Sequence, residues 1–200
     1  MQRKYTDIYI DVPYTIPNLL TWLRILLIPL FVGMFYFPDA WMSAGNKNLF
    51  SALLFLVAAI TDWLDGYLAR VLEQTSAFGA FLDPVADKLM VAAALIVLVK
   101  LGRVNELVAF IIIGREIAIS ALREWMATIG ESKSVAVSML GKVKTASQMT
   151  AIFLLLYDGM AGGIDCLRLG TWLIYLAAVL TLVSMAYYLR MVDGAGNLDK

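Results

Sequence analysis

The sequence predicts an all-α integral membrane protein with six transmembrane helices, preceded by a short N-terminal segment that can form an interfacial helix. Hydrophobic residues occupy 61% of its 200 positions, whereas a soluble domain contains about 45–50% apolar residues. A membrane-spanning helix needs about 20 largely apolar residues, and six stretches approach that length. In order they are residues 19–37, 49–70, 84–101, 104–127, 142–158 and 170–190.

Short breaks with proline, glycine or charged residues separate the predicted spans. They are Pro38 with Asp39, residues 45–48, Gly102, residues 130–133 and residues 158–163. Because no break is long enough for another domain, the sequence predicts a leader of residues 1–18 and one membrane domain of residues 19–200. Apolar residues recur at helical spacing in the leader, which fits either a short interfacial amphipathic helix or an irregular segment.

The distribution of charge predicts the topology. Six spans place both termini on the same side of the membrane. Nine Lys or Arg residues fall on that side and four on the other, so the positive-inside rule predicts cytoplasmic termini. The net charge is zero, which provides no overall field to attract nucleic acid, and nucleic acid is not an expected partner.

The residue types present restrict the chemistry. The sequence contains no histidine, and Cys166 is its single cysteine, which excludes an internal disulfide and a thiolate metal cluster. Metal ligation must therefore use oxygen atoms. Any proton transfer near neutral pH must use a carboxylate or another group with a tuned pKa.

Four aspartates, here called the aspartate cluster, lie where the second and third predicted spans meet. Asp62 and Asp65 are three residues apart, and Asp83 and Asp87 are four apart, so each pair shares a helix face. A turn through residues 71–78 brings the two pairs together if the helices are antiparallel. One aspartate at a helix centre costs roughly 2.5–3.5 kcal/mol in a membrane, so the cluster requires a cationic partner.

Divalent metal ions are the cations that this residue set favours. Carboxylates without His or Cys suit Mg²⁺, Mn²⁺ or Ca²⁺, and four of them suffice for two ions that clamp the oxygens of a phosphoryl transfer. Gly66, Ala69 and Gly79 allow close approach of a ligand, and the planar guanidinium of Arg70 suits a phosphate oxygen. The alternative is a network of salt bridges to neighbouring cations such as Lys88.

A second group of charges lies in the fourth and fifth predicted spans. Arg115 and Arg123 are eight residues apart and share a helix face, and Lys142 and Lys144 begin the fifth span. An arginine within an apolar helix indicates a functional site, and these cations can form a pocket for an anionic group such as a phosphate. Alternatively, Arg115 pairs internally with Glu116 or with the aspartate cluster, and the lysines only set the topology.

The aspartate-rich segment resembles a family signature. The pattern D-x₂-D-G-x₂-A-R-x₈-G-x₃-D-x₃-D matches the CDP-alcohol phosphotransferase family at all eight fixed positions. The resemblance implies a six-helix, homodimeric enzyme in which an alcohol displaces CMP from a CDP-linked substrate. It implies two divalent cations, Mg²⁺ or Mn²⁺, at the cytoplasmic face. Their ligands would be Asp62, Asp65, Asp83 and Asp87, with Asp87 also the general base.

The resemblance also implies a CDP and pyrophosphate site. Its residues come from the pattern and from the first span: Gly66, Ala69, Arg70, Gly79, Asn18, Thr21 and Arg24. The three residues of the first span lie at i, i+3 and i+6 and form one polar stripe, similar to a polar feature of the family near the nucleotide. Helix capping and anchoring at the membrane interface is the alternative role for this stripe.

Longer stretches resemble bacterial members of this family that transfer the phosphatidyl group of CDP-diacylglycerol to sn-glycerol 3-phosphate. These stretches include TIPNLLTWLRILLIP, REIAISALREWM and SVAVSMLGKVKT, within about residues 15–150. The resemblance implies phosphatidylglycerol phosphate and CMP as products, and a multi-pass location in the bacterial inner membrane among its lipids. The acceptor phosphate would be bound by Arg115, Arg123, Lys142 and Lys144.

Two other classes of function remain open at this stage, beside a family member with a different acceptor alcohol. A cation- or proton-coupled transporter can use intramembrane aspartates as a relay. However, the aspartates here cluster at one predicted membrane face, and the sequence lacks inverted repeats with broken helices. A structural membrane subunit would leave the aspartate cluster without a role.

Overall fold

The computed structural model describes residues 15–72, 77–128 and 139–196. Six α-helices account for nearly all of this part of the chain. They are α1 (Ile16–Gly33), α2 (Ala44–Val71), α3 (Ala77–Lys100), α4 (Glu106–Thr128), α5 (Met139–Tyr157) and α6 (Cys166–Gly196). A 3₁₀ turn (Met34–Tyr36) follows α1, and a small hairpin of β1 (Met160–Ala161) and β2 (Ile164–Asp165) joins α5 to α6.

Each predicted span corresponds to one helix, so the mainly helical, membrane-type architecture is confirmed. In the described part of the chain, three segments are long and apolar enough to cross a membrane by length and composition: Ile16–Tyr36, Ala44–Leu68 and Cys166–Ala186. The other three helices, α3, α4 and α5, carry charged residues between their ends, such as Asp87, Arg115 and Lys144. The predicted leader is mostly outside the described residues, which begin at Thr15.

Two local predictions were wrong. Residues 45–48 do not break the chain, because Ser43 caps α2 and its hydroxyl accepts a hydrogen bond from the Asn46 amide at 3.4 Å. These polar residues instead form the first turn of α2. The third predicted span begins at residue 84, which predicts Pro84 in the first turn of a helix, where its missing N–H costs nothing. The third helix begins earlier, at Ala77, so Pro84 lies inside it.

The helices pack around a continuous apolar core to which all six contribute. Its most deeply buried large side chains are Phe31, Phe55, Leu95, Leu98, Ile112, Ile152, Leu155, Leu156 and Ile174. The most extensive contact joins α5 to α6, and α1 packs against both α2 and α3. Residues on the outer faces are also apolar, including Leu26, Ile96 and Phe110, as expected for helices that face lipid rather than water.

A polar network closes one end of the helix bundle, called here the hairpin end. Arg103 donates hydrogen bonds to the carbonyl oxygens of Leu155 and Leu156, at 2.9 and 3.2 Å, and pairs with Asp158 at 2.7 Å. It also donates to Asn48 at 3.0 Å. Because the last carbonyls of a helix have no partner within it, Arg103 both caps α5 and ties it to α2.

An ion pair between buried Lys47 and exposed Asp39 lies at the same end. Lys47 donates to the Asp39 carboxylate at 2.7 Å and to the Phe37 carbonyl oxygen at 2.6 Å. The hydrogen bond and the charge of Lys47 lower the pKa of Asp39. Because the Asp39 side chain is almost fully in solvent, this pair contributes little to stability. It therefore provides a site for control substitutions far from the aspartate cluster.

Gly170 allows the close contact between α5 and α6. A Cβ atom at this position would lie 2.8 Å from Leu155 Cγ and 3.2 Å from the Ala151 carbonyl oxygen. We expect Gly170→Ala to lower the free energy of unfolding by about 1–3 kcal/mol, because overpacking forces neighbouring atoms to move. Thermal unfolding of the purified protein in detergent measures this.

Gly114→Ala is the matched control, because a Cβ at Gly114 would meet nothing within 4 Å. Alanine has a higher helix propensity than glycine, so this variant should melt at or above the wild-type temperature. Equal melting temperatures for Gly170→Ala and Gly114→Ala would show that the contact between α5 and α6 is looser than described.

Candidate active site

The first turns of α1 carry a buried polar stripe. Thr15 caps the helix, its hydroxyl accepting a hydrogen bond from the Asn18 amide at 3.5 Å. Asn18, Thr21 and Arg24 then recur at intervals of three residues, and all are buried. Their spacing turns them towards α2 and α3 rather than outward. The structure therefore places the predicted stripe inside the bundle, beside the aspartate cluster.

Arg24 joins α1 to two aspartates of α2. Its Nη1 donates to Asp62 Oδ1 at 2.7 Å, and its Nη2 donates to Asp65 Oδ2 in a close ion pair. Arg24 is 1% exposed and Asp65 3%, so the cation and at least one carboxylate are withdrawn from solvent. A buried carboxylate requires a charged partner, and the guanidinium of Arg24 supplies it.

Thr21 makes the corresponding contact with α3. Its hydroxyl donates a hydrogen bond to the Asp83 carboxylate. Through Thr21 and Arg24, α1 contacts three of the four aspartates and brings the end of α2 against the start of α3. The aspartates are close enough for Asp83 to interact electrostatically with Asp62 and Asp65. The predicted convergence of the two pairs is therefore present.

Asp87 faces a polar cavity of about 140 Å³ between α2, α3, α4 and α5. Asp62 also lines this cavity, so the cluster opens into it from two helices. The other lining residues are Lys88, Val91, Glu116, Thr145, Gln148 and Met149. A smaller adjoining cavity is lined by both Arg24 and Asp87. The cavity is the place where a small polar molecule can reach the aspartate cluster.

Glu116 connects the second predicted group of charges. Its carboxylate accepts a close hydrogen bond from Lys144 Nζ, and Arg115 Nη1 lies 3.4 Å away. The other terminal nitrogen of Arg115 donates to the Ser184 hydroxyl of α6 at 3.1 Å. The internal pairing of Arg115 with Glu116, one of the two sequence-based alternatives, is therefore present. Both cations nevertheless contact Glu116, which lines the cavity.

Other predicted site residues are described less completely. Gly66 lies in α2 beside Asp65, and Gly79 is buried in α3, so both belong to the helices that carry the aspartates. Four further predicted residues lie in helices, but their side chains are outside the described part of the structure: Ala69, Arg70, Arg123 and Lys142. Their predicted roles stay predictions.

The chemistry of the aspartate cluster fits divalent cations. Within the described ranges, no group of three or more Asp, Glu or Cys side chains is arranged as a preformed metal site. However, the buried guanidinium of Arg24 shows that this cluster accommodates positive charge. Carboxylate oxygens are ligands that Mg²⁺ and Mn²⁺ prefer. The predicted pair of cations is therefore chemically compatible with these residues.

Sequence reasoning missed the central position of Glu116 and the presence of Gln148 in the cavity. Glu116 was considered only as a partner for Arg115, although a carboxylate within an apolar helix is itself a sign of function. Gln148 lies one turn after Lys144 and shares its helix face. That spacing was the available signal, but an uncharged amide in a helix does not stand out without the tertiary structure.

These contacts define an acidic site within the helical bundle, with a buried ion pair and a cavity lined by carboxylates. The chain belongs to the CDP-alcohol phosphatidyltransferase family, whose model matches residues 14–183. This match covers α1 to α5 and α6 as far as residue 183. It confirms the family indicated by the eight-residue pattern.

Named relatives are similar over most of their length. A protein of Pectobacterium atrosepticum named CDP-diacylglycerol–glycerol-3-phosphate 3-phosphatidyltransferase is 52% identical over 181 residues, which cover 88% of this chain and 94% of the relative. Proteins with the same name from Salmonella typhimurium and Sodalis glossinidius are 50% and 51% identical. These alignments cover 90% and 87% of this chain, and 96% and 92% of the relatives.

Proposed function

We propose that the protein transfers the phosphatidyl group of CDP-diacylglycerol to sn-glycerol 3-phosphate, forming phosphatidylglycerol phosphate and CMP. Relatives that are about half identical over nearly their whole length carry the name of this activity. The observation in the structure that supports it best is the cavity that joins Asp62 and Asp87 to Glu116, the partner of Lys144. It connects a site for a nucleotide diphosphate to cations suited to a phosphorylated acceptor.

The proposal includes a six-span topology in the bacterial inner membrane, with both termini and the site on the cytoplasmic side. All four aspartates and Lys144 lie in the halves of their helices that are away from the hairpin end, and Arg115 lies near the middle of α4. The excess of Lys and Arg on that side supports its cytoplasmic location. Asp87 of α3 and Glu116 of α4 line the cavity, and Lys144 of α5 pairs with Glu116, so these charges face the site rather than lipid, which lowers the cost of a membrane-spanning position for the three helices. A homodimer is part of the proposal by family resemblance.

In the proposed reaction, Asp87 accepts the proton of the attacking hydroxyl of glycerol 3-phosphate. The hydroxyl oxygen forms a bond to the phosphatidyl phosphorus, and the bond from that phosphorus to the CMP oxygen breaks. Two divalent cations would be held by Asp62, Asp65, Asp83 and Asp87. When bound, they would neutralise negative charge on the pyrophosphate and on the departing CMP. Thr21 and Arg24 hold three of these carboxylates in place and thereby orient them.

Lys144 and Arg115 are proposed to bind the phosphate of the acceptor. Both are buried beside the cavity, where a charge-assisted hydrogen bond is stronger than at a solvated surface. Glu116 pairs with them in the described structure. An incoming phosphate carries the same sign of charge as Glu116 and can take over its contacts with the two cations. Arg123 and Lys142 remain candidates for the same role.

We expect Lys144→Met to raise the KM for glycerol 3-phosphate by about 10–100-fold, because a hydrogen bond to a charged group contributes about 1.5–3 kcal/mol. The KM for CDP-diacylglycerol should change much less. Steady-state kinetics in mixed micelles, with each substrate varied in turn, measures both constants. A larger rise for CDP-diacylglycerol would mean that the two substrate sites are exchanged.

Acceptor profiling tests the proposed function. Purified protein is incubated with CDP-diacylglycerol, Mg²⁺ and one alcohol at a time, and CMP release is measured. The proposal predicts release with glycerol 3-phosphate and little with serine, inositol phosphate or phosphatidylglycerol. Release with only one of the other alcohols would retain the family and overturn the acceptor. Absence of release with all of them, in folded protein, would overturn the proposed transfer.

A further inference from the structure

Gln148 carries a buried hydrogen-bond acceptor without a partner. The residue is 4% exposed, and no donor among the described residues reaches its side-chain oxygen Oε1. An unsatisfied buried polar atom costs about 1–3 kcal/mol, and such atoms are rare in folded proteins. Gln148 also lines the polar cavity shared by Asp87 and Glu116. The missing partner is therefore expected to be a molecule that enters the cavity.

The helix α5 fixes the distance between Gln148 and the proposed phosphate-binding cation. Lys144 and Gln148 are four residues apart and share a helix face, which separates them by about 6 Å along the axis. Glycerol 3-phosphate carries its phosphate and its C2 hydroxyl a few bonds apart, so one molecule can contact both side chains. Its C1 hydroxyl can then extend towards Asp87, which lines the same cavity from α3.

The lining of the cavity indicates a hydroxyl group as the partner of Gln148. An ionised carboxylate accepts hydrogen bonds only, and three of the lining residues carry carboxyl groups: Asp62, Asp87 and Glu116. The amide oxygen of Gln148 also accepts, so the ligand must present a donor to it. A hydroxyl can donate to Gln148, whereas a phosphate oxygen without a proton cannot. At about 140 Å³, the cavity is larger than the roughly 30 Å³ that one water occupies in the liquid.

We propose that Gln148 is a specificity-determining residue that accepts a hydrogen bond from the non-reacting C2 hydroxyl of the acceptor. This inference rests on the proposed function and deepens it, because it names the feature that distinguishes a glycerol phosphate from a simpler phosphorylated alcohol. In this arrangement Lys144 binds the phosphate, Gln148 binds the C2 hydroxyl and Asp87 receives the proton of the C1 hydroxyl.

The test compares two acceptors with two forms of the protein. The acceptors are glycerol 3-phosphate and 3-hydroxypropyl phosphate, which lacks the C2 hydroxyl. The variant is Gln148→Met, which keeps the length of the side chain and removes the amide. The expected wild-type preference for glycerol 3-phosphate in kcat/KM is at least about tenfold. In Gln148→Met this preference should fall on the order of tenfold, because only the reaction of glycerol 3-phosphate loses a contact.

Thr181→Val is the matched control. Thr181 also has a fully buried side-chain oxygen without a partner among the described residues, but it does not line the cavity. Its replacement should leave the preference between the acceptors unchanged. If Gln148→Met is not monodisperse on size-exclusion chromatography, Gln148→Asn replaces it in the test. Asparagine keeps the amide but is one methylene shorter, so the amide no longer reaches the acceptor, and the same fall in preference is expected.

Each outcome supports or overturns the proposal. A selective loss with glycerol 3-phosphate supports it. An equal loss with both acceptors would assign Gln148 to structure alone, and an unchanged preference would remove it from acceptor recognition; either result overturns the inference while the proposed function stands. If wild-type protein releases CMP with neither acceptor, the proposed function has failed, and the inference fails with it.

Discussion

Asp87→Asn is expected to lower kcat for CMP release by about 10²–10⁴-fold, the usual contribution of a general base. The sequence has no histidine to replace it, and Asp87 lies on the wall of the cavity proposed to receive the acceptor. Asparagine preserves the size of the side chain but cannot accept the proton of the hydroxyl. Initial rates with saturating substrates measure the loss.

Asp39→Asn is the control for this substitution, since Asp39 is an exposed carboxylate at the hairpin end. It should retain wild-type activity. Binding of CDP-diacylglycerol to Asp87→Asn, measured by thermal stabilisation, separates a lost base from a lost site. Near-normal turnover by Asp87→Asn, in protein that still binds its metal, would exclude Asp87 as the base.

Arg24→Met is expected to lower the free energy of unfolding by about 3–5 kcal/mol in the presence of a chelator. Removing one partner of a buried ion pair leaves an uncompensated charge, which has a cost of that size. Asp65 is the carboxylate most affected, since it is as deeply buried as Arg24 itself. Added Mg²⁺ should recover part of the loss, because a divalent cation can replace the missing positive charge beside Asp62 and Asp65.

Thermal unfolding with chelator and with Mg²⁺ measures both effects. Lys47→Met is the matched control, because it breaks an ion pair whose acidic partner is exposed, and such pairs are worth at most about 1 kcal/mol. Its melting temperature should be nearly independent of Mg²⁺. An Arg24→Met protein as stable as Lys47→Met in chelator would contradict the proposed role of Arg24 as the internal counter-charge.

Much of the fold was predictable because the local sequence patterns agree with the helices that form. Apolar runs of membrane length predicted the six helices, and the intervals between Asp62, Asp65, Asp83 and Asp87 predicted a shared face on each of two helices. The stripe of Asn18, Thr21 and Arg24 followed from the same helical period. The family resemblance predicted a position near the nucleotide for this stripe, and the structure places it beside the aspartates, where Arg24 forms ion pairs with Asp62 and Asp65.

The remaining features depend on tertiary contacts. The sequence offered cations such as Lys88 and Arg115 as partners for the aspartates, whereas the packing of α1 on α2 and α3 makes Arg24 the partner of Asp62 and Asp65. Glu116 became a bridge because α4 places it against Lys144 of α5. The two wrong boundaries have local causes, since the Ser43 cap outweighs the polar character of residues 45–48 and α3 continues through Pro84.

The most direct test of the proposed metal-dependent transfer is a single-turnover measurement with radiolabelled glycerol 3-phosphate, CDP-diacylglycerol and purified protein. Protein freed of metal with a chelator is compared with the same protein after addition of Mg²⁺ or Mn²⁺. We expect one labelled phosphatidylglycerol phosphate for each CMP released, only with metal, and almost none from Asp87→Asn. Labelled lipid formed equally well without any divalent cation, or CMP released without labelled lipid, would contradict this proposal.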